Sequence, residues 1–132
     1  MLELNFKATE DPENKNIIID ADKLYDLSKM EIISNGDQVF IQKMLQLFVQ
    51  ENEKALLEIT ESYQKKDFKK LKATVHRIKP SIFSFNIEKI FESILYIEKF
   101  ESKEDDLNLL NSKINSLKEI LTAVMDDIKS KF

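Results

Sequence analysis

The sequence predicts an all-α protein: an antiparallel up-down four-helix bundle with an additional short N-terminal helix. Three observations carry that expectation. One glycine and two prolines in 132 residues leave too few turn residues for hairpins or a doubly wound sheet. Apolar residues recur at alternating spacings of three and four in four separate stretches, the period of a helix with one buried face. The connections between those stretches are short, so consecutive helices should lie side by side and antiparallel.

Residues 1–19 hold no sustained period and read as an irregular leader, with Ile17-Ile18-Ile19 as a short apolar run, and residues 20–132 read as the bundle domain. Asp20 is a plausible N-cap for a first helix to about Ile33, with Leu24, Leu27 and Met30 at helical spacing. Asn35-Gly36-Asp37 breaks it with the only glycine in the chain, and Asp37 can cap the next helix. Ile41, Leu45, Phe48, Asn52, Ala55, Ile59 and Ser62 then form the buried stripe of one long helix from about 38 to 65. Lys65-Lys66-Asp67 turns out of it. Phe68, Leu71, Val75, Ile78, Ile82 and Phe85 make the next stripe, which Asn86 can end in the left-handed conformation. A third runs from Ile87 to about Phe100, Glu101-Ser102-Lys103-Glu104 links onward, and the fourth spans Leu107 to Ile128. The 20–33 helix is expected across one end of the bundle.

Composition removes several functions. The chain has no cysteine, so disulfides and thiolate metal sites are excluded. No apolar stretch reaches the roughly 20 residues needed to span a bilayer, and Met1-Leu2-Glu3-Leu4-Asn5 lacks the regions of a signal peptide. A cytoplasmic location without membrane insertion is expected. A net charge of −4 gives no pull toward nucleic acid, despite the basic cluster Lys65, Lys66, Lys69, Lys70 and Lys72. The acidic pairs Asp105-Asp106 and Asp126-Asp127 diverge by about 100° on a helix, which suits caps and solvent faces better than a metal site. No glycine-rich loop could cradle a nucleotide.

What remains is one side chain. Histidine occurs once, at His76, with a proline at i+4 inside a strongly helical pattern. Imidazole is the side chain whose unperturbed titration lies nearest neutrality, and proline in a helix interior costs about 3 kcal/mol. His76 follows the core residue Val75 by one position and is therefore turned about 100° from it, to the edge of the buried stripe. Lys72, Lys79 and Phe83 share its row at i−4, i+3 and i+7, and Lys69 lies one turn further back. The lysines favour a neutral, nucleophilic ring and would stabilise an anion placed on it. Pro80 deprives the His76 carbonyl of its i+4 donor.

His76-x-x-Lys79, the small residue Ser81 and a helix stop ten residues after the histidine resemble the histidine-containing phosphotransfer (HPt) domain family of bacterial two-component phosphorelays. That family's signature is histidine, lysine at +3, glycine at +4, small residues after it, and glycine at +10. The similarity extends over about residues 22–130, with Phe40-Ile41 and Leu47-Phe48 resembling the first bundle helix and Ile87 the aliphatic residue after +10. Two positions depart: Pro80 stands at +4 and Asn86 at +10.

The resemblance implies a phosphocarrier and co-substrate rather than an enzyme. His76 would accept a phosphoryl group from an aspartyl-phosphate receiver domain and pass it to another, with Lys79 offsetting charge on the phosphoryl oxygens. Lys69, Lys72, Arg77, Pro80, Phe83 and Ser84 would form the docking surface. Lys69 and Arg77 read equally as solvated surface, and Phe83 as extra core width. The chain would carry no cofactor of its own, with Mg²⁺ expected on the partner receiver domain. Its partners would be response-regulator receiver domains and a hybrid sensor kinase, and the chain would be a monomer. The alternative is a helical adaptor that binds a receiver or another signalling protein without being phosphorylated.

Overall fold

The computed structural model describes residues 23–102 and 106–132; the predicted leader over 1–19 lies outside them. Among the described residues five α-helices come in order: α1 (Ser28–Ser34), α2 (Gln38–Gln64), α3 (Phe68–Ser84), α4 (Phe91–Lys99) and α5 (Leu107–Lys131), with a 3₁₀ turn at Glu88–Ile90 leading into α4. α2 packs against α3, α3 against α4, α4 against α5, and α5 closes back onto α2. This ring is the up-down four-helix bundle expected from the apolar stripes.

The helix ends show why the chain turns where it does. Asp37 caps α2, accepting hydrogen bonds from the amides of Val39 and Phe40, and Asp67 caps α3 by accepting one from Lys70. Asp106 does the same for α5 through the Asn108 amide. Asn35 (φ 56°) and Gly36 (φ 80°) make the left-handed exit from α1, the one place where the chain spends its glycine. Lys66 (φ 57°) and Asn86 (φ 54°) end α2 and α3 in the same conformation. After Asn86 the Ile87 amide returns to the Ile82 carbonyl, so the +10 asparagine fills the left-handed terminus that glycine fills elsewhere.

The core is continuous along the bundle. Leu45 and Ile59 of α2, Leu71 and Ile82 of α3, Ile94 and Ile97 of α4, and Leu117 and Leu121 of α5 are all fully buried. Phe48 and Phe85 stack with ring centroids 4.1 Å apart where α2 passes the end of α3. Burial of one such side chain stabilises the fold by about 1.5–3 kcal/mol, so this stripe-to-stripe contact dominates the energetics.

The N-terminal helix differs from expectation. Its described helix starts at Ser28, with Tyr25, Asp26 and Leu27 not helical, while the cap expected at Asp20 lies outside the described residues. Local hydrogen bonding explains the late start. The Asp26 carboxylate accepts from both the amide and the hydroxyl of Ser28, while the Asp26 amide donates to the Phe85 carbonyl at 2.8 Å. A short acidic side chain that bonds the backbone ahead of it competes with helix and favours its beginning. The Tyr25 hydroxyl donates to Asp127 at 2.7 Å, and Lys29 donates to the Phe83 carbonyl. The segment therefore straps the end of the bundle where α3 and α5 finish. The third apolar stripe also divides, into the 3₁₀ turn and α4, rather than forming one helix from Ile87.

Candidate functional site

α3 runs as one helix through Pro80 to Ser84 and carries His76 on its outer face. The side chain of His76 is 72% exposed, where rotation by one residue from buried Val75 puts it. Pro80, one turn on at i+4, is exposed as well.

The ring is nevertheless held. Its Nδ1 lies 2.6 Å from Oε2 of Glu98 on α4, and Oε1 of the same carboxylate accepts from the Lys79 ammonium at 2.8 Å. Glu98 is only 16% exposed. Burial pushes its carboxyl up, but hydrogen bonds from Lys79 and His76, with the Lys79 charge, outweigh that and leave it below its ordinary value. An ionised carboxylate only accepts hydrogen bonds, so Nδ1 must be the donor. In the neutral ring that proton sits on Nδ1 and leaves the lone pair on Nε2. The arrangement gives the neutral imidazole a fixed tautomer and ring orientation.

Glu98 is the residue that sequence reasoning missed. One signal could have found it. The turn between α3 and α4 centres near Ile87, and His76 and Glu98 are equally spaced before and after that residue. The antiparallel register that sets Phe83 against Phe91, centroids 4.5 Å apart, also sets His76 against Glu98.

The other predicted residues divide into three groups. Lys79 meets His76 through the shared carboxylate. Lys72 reaches across to α4 and donates to the Phe100 carbonyl at 3.0 Å, and Arg77 turns to α2 and donates to Glu58 at 2.7 Å. Arg77 holds the Glu58 carboxyl below its ordinary value through that bond. Lys69 is exposed and, with Lys72, borders a shallow depression of about 300 Å³ floored by Phe68 and Phe100. Phe83 is half-buried, its ring edge-on to Phe91 and against the core, and Ser84 is half-buried at the last helical position. Buried Asn52 of α2 donates to the Phe48 carbonyl at 2.9 Å and to the hydroxyl of Ser81, the residue after Pro80, at 3.4 Å.

Among the described residues no three histidine, aspartate or glutamate side chains converge as metal ligands, and no helix is long and apolar enough to cross a membrane. The fold and this site define a helical bundle that presents a single oriented imidazole on the outer face of one helix.

Residues 43–127, well over half of the chain, match the family model of the Hpt domain. The chain belongs to the Hpt domain family. Membership makes it a histidine phosphotransfer carrier of two-component signalling that works with response-regulator receiver domains. No curated protein and no solved structure matches the chain. The matched span is narrower than the resemblance over 22–130 and leaves α1 outside it.

Proposed function

We propose that His76 is the phosphoryl-accepting residue, taking the group from an aspartyl phosphate on one receiver domain and handing it to another. The observation that carries this reading is the exposed imidazole whose Nδ1 is held by Glu98, on the only histidine of the chain. Nε2 attacks phosphorus, the bond from phosphorus to the aspartyl oxygen breaks, and the carboxylate leaves with its electron pair. Phosphoryl transfer of this kind needs in-line placement and charge neutralisation more than it needs covalent help from the protein. Lys79, one turn from His76 and already at the site through Glu98, supplies positive charge for the phosphoryl oxygens. Mg²⁺ and the remaining acidic groups belong to the receiver.

The same geometry supports a docking face centred on α3. Pro80 lets a receiver approach the ring closely, and Lys69 and Lys72 offer positive charge toward an acidic pocket. Arg77, tied to Glu58, and Phe83, packed on Phe91, present only part of themselves to that face, with Ser84 at its edge. The donor is the receiver of a hybrid sensor kinase, and the chain works as a monomeric cytoplasmic carrier.

The test is label transfer. Incubation with a panel of phosphorylated receiver domains should place acid-labile, alkali-stable phosphate on the wild-type chain and none on His76→Gln. Receivers that bind without labelling either protein would replace this reading with that of a non-phosphorylated adaptor.

A further inference from the structure

The proline inside α3 frees a backbone group beside the histidine. In a regular helix the carbonyl of residue i accepts from the amide of residue i+4. Pro80 stands at that position for His76 and has no amide hydrogen, so the His76 carbonyl lacks its helical donor. The proline ring also crowds that carbonyl and turns it away from the helix axis. His76 and Pro80 are both exposed, so the break between them lies on the outer face of α3.

The donors nearest to it in the sequence are engaged elsewhere. Lys79 donates to Glu98, Lys72 to the Phe100 carbonyl and Arg77 to Glu58. The Ser81 hydroxyl donates to the Ile78 carbonyl at 2.9 Å and accepts from Asn52. The His76 carbonyl is thus left to water in the free chain, and a partner seated over the imidazole displaces that water. Burying an acceptor without a new donor costs more than a completed hydrogen bond returns. Such a group discriminates between partners. One that brings an N–H or O–H to the carbonyl binds, and one that brings an apolar or acidic group is rejected.

We infer that the His76 carbonyl, freed by Pro80, accepts a hydrogen bond from the docked receiver and selects receivers that present an N–H or O–H donor there. The inference rests on receivers docking over His76 and adds what distinguishes one receiver from another. Pro80 sets specificity through the carbonyl it frees and touches no reacting atom.

The chain has one histidine, so histidine labelled with ¹³C at its backbone carbonyl gives a single enriched resonance, that of His76. This resonance should move downfield as wild type is saturated with the unphosphorylated form of the receiver that binds it most tightly. In Pro80→Ala the restored amide takes the carbonyl, so the resonance should start downfield and stay there when the same receiver is added. The spread of labelling rates across the panel of phosphorylated receivers should narrow by about tenfold in Pro80→Ala. Phosphoramidate, a small donor that needs no docking, should load both proteins equally, which separates docking from damage to the imidazole. A wild-type resonance that stays in place when a receiver binds, or an unaltered spread in Pro80→Ala, would overturn the inference. Receivers that shift the carbonyl yet label neither protein would remove the carrier reading and leave this one standing. A panel in which no receiver binds overturns both.

Discussion

His76 and Lys79 share one carboxylate, each bonding a different oxygen of Glu98, and that arrangement gives Lys79 two roles that a single substitution can separate. In the resting site the Lys79 ammonium, 27% exposed, pairs with Glu98, 16% exposed. Partly exposed pairs of this kind contribute only ~0–1 kcal/mol, because solvent screens the attraction and ordering two side chains costs entropy. A phosphoryl group on Nε2 offers more negative charge than one oxygen of Glu98, so Lys79 can swing to it without loss of fold. Lys79→Ala should therefore slow transfer from a phosphorylated receiver on the order of tenfold, equivalent to ~1.4 kcal/mol of transition-state stabilisation. Its melting temperature should stay within a few degrees of wild type. Stopped transfer assays and thermal melts on the same samples decide it; a collapse in melting with unaltered transfer would make Lys79 a structural residue only.

α3 is where local sequence and helix geometry disagree most, and its proline measures the disagreement. Pro80 lies inside the helix, so the His76 carbonyl has no amide partner one turn ahead. Pro80→Ala restores that donor and should raise stability by about 1–3 kcal/mol in urea unfolding, while Pro80→Gly should recover about 1 kcal/mol less. An unchanged midpoint would mean the exposed carbonyl is already satisfied by solvent. If the alanine variant also transfers more slowly, the proline acts in docking, which its place beside His76 on the exposed face suggests. Elements such as α2, α3 and α5 were legible in the sequence because a long apolar stripe and an aspartate cap each mark the same boundary. α1 was not, because its start depends on the Phe85 carbonyl, which lies far along the chain and captures the Asp26 amide. His76 was legible from its rarity and its offset from Val75. Glu98 was hidden for a physical reason: one residue from buried Ile97, it reads as an ordinary edge glutamate until the α3–α4 register is known.

Across the whole molecule, paired charges tie neighbouring helices together at the rim of the core, and this sets how stability depends on pH. Arg77 of α3 meets Glu58 of α2, Lys79 of α3 meets Glu98 of α4, Lys113 of α5 meets Glu92 of α4, and Lys129 of α5 meets Glu53 of α2. Glu58 and Glu98 titrate below the ordinary glutamate value of 4.5. Groups depressed in the native state bind fewer protons there than in the unfolded chain, so they stabilise the fold fully above their unfolded values. That contribution disappears as pH falls through the lower native values. Lys129 is raised above 10.5 by its bond to Glu53, so its contribution is present below that value and lost as pH climbs through the raised one. Stability should accordingly hold a plateau through the neutral range and decline on the acid side, beginning near the ordinary carboxylate values. Urea midpoints taken from pH 7 down to about 3 test this directly. Because Glu98 joins both partners on α3 through one side chain, Glu98→Gln should flatten part of the acid decline while leaving its onset, which Glu58 shares, in place. An acid limb unchanged in Glu98→Gln would place the coupling between α3 and α4 in the apolar seam alone, and would leave Glu98 with a purely chemical role beside His76.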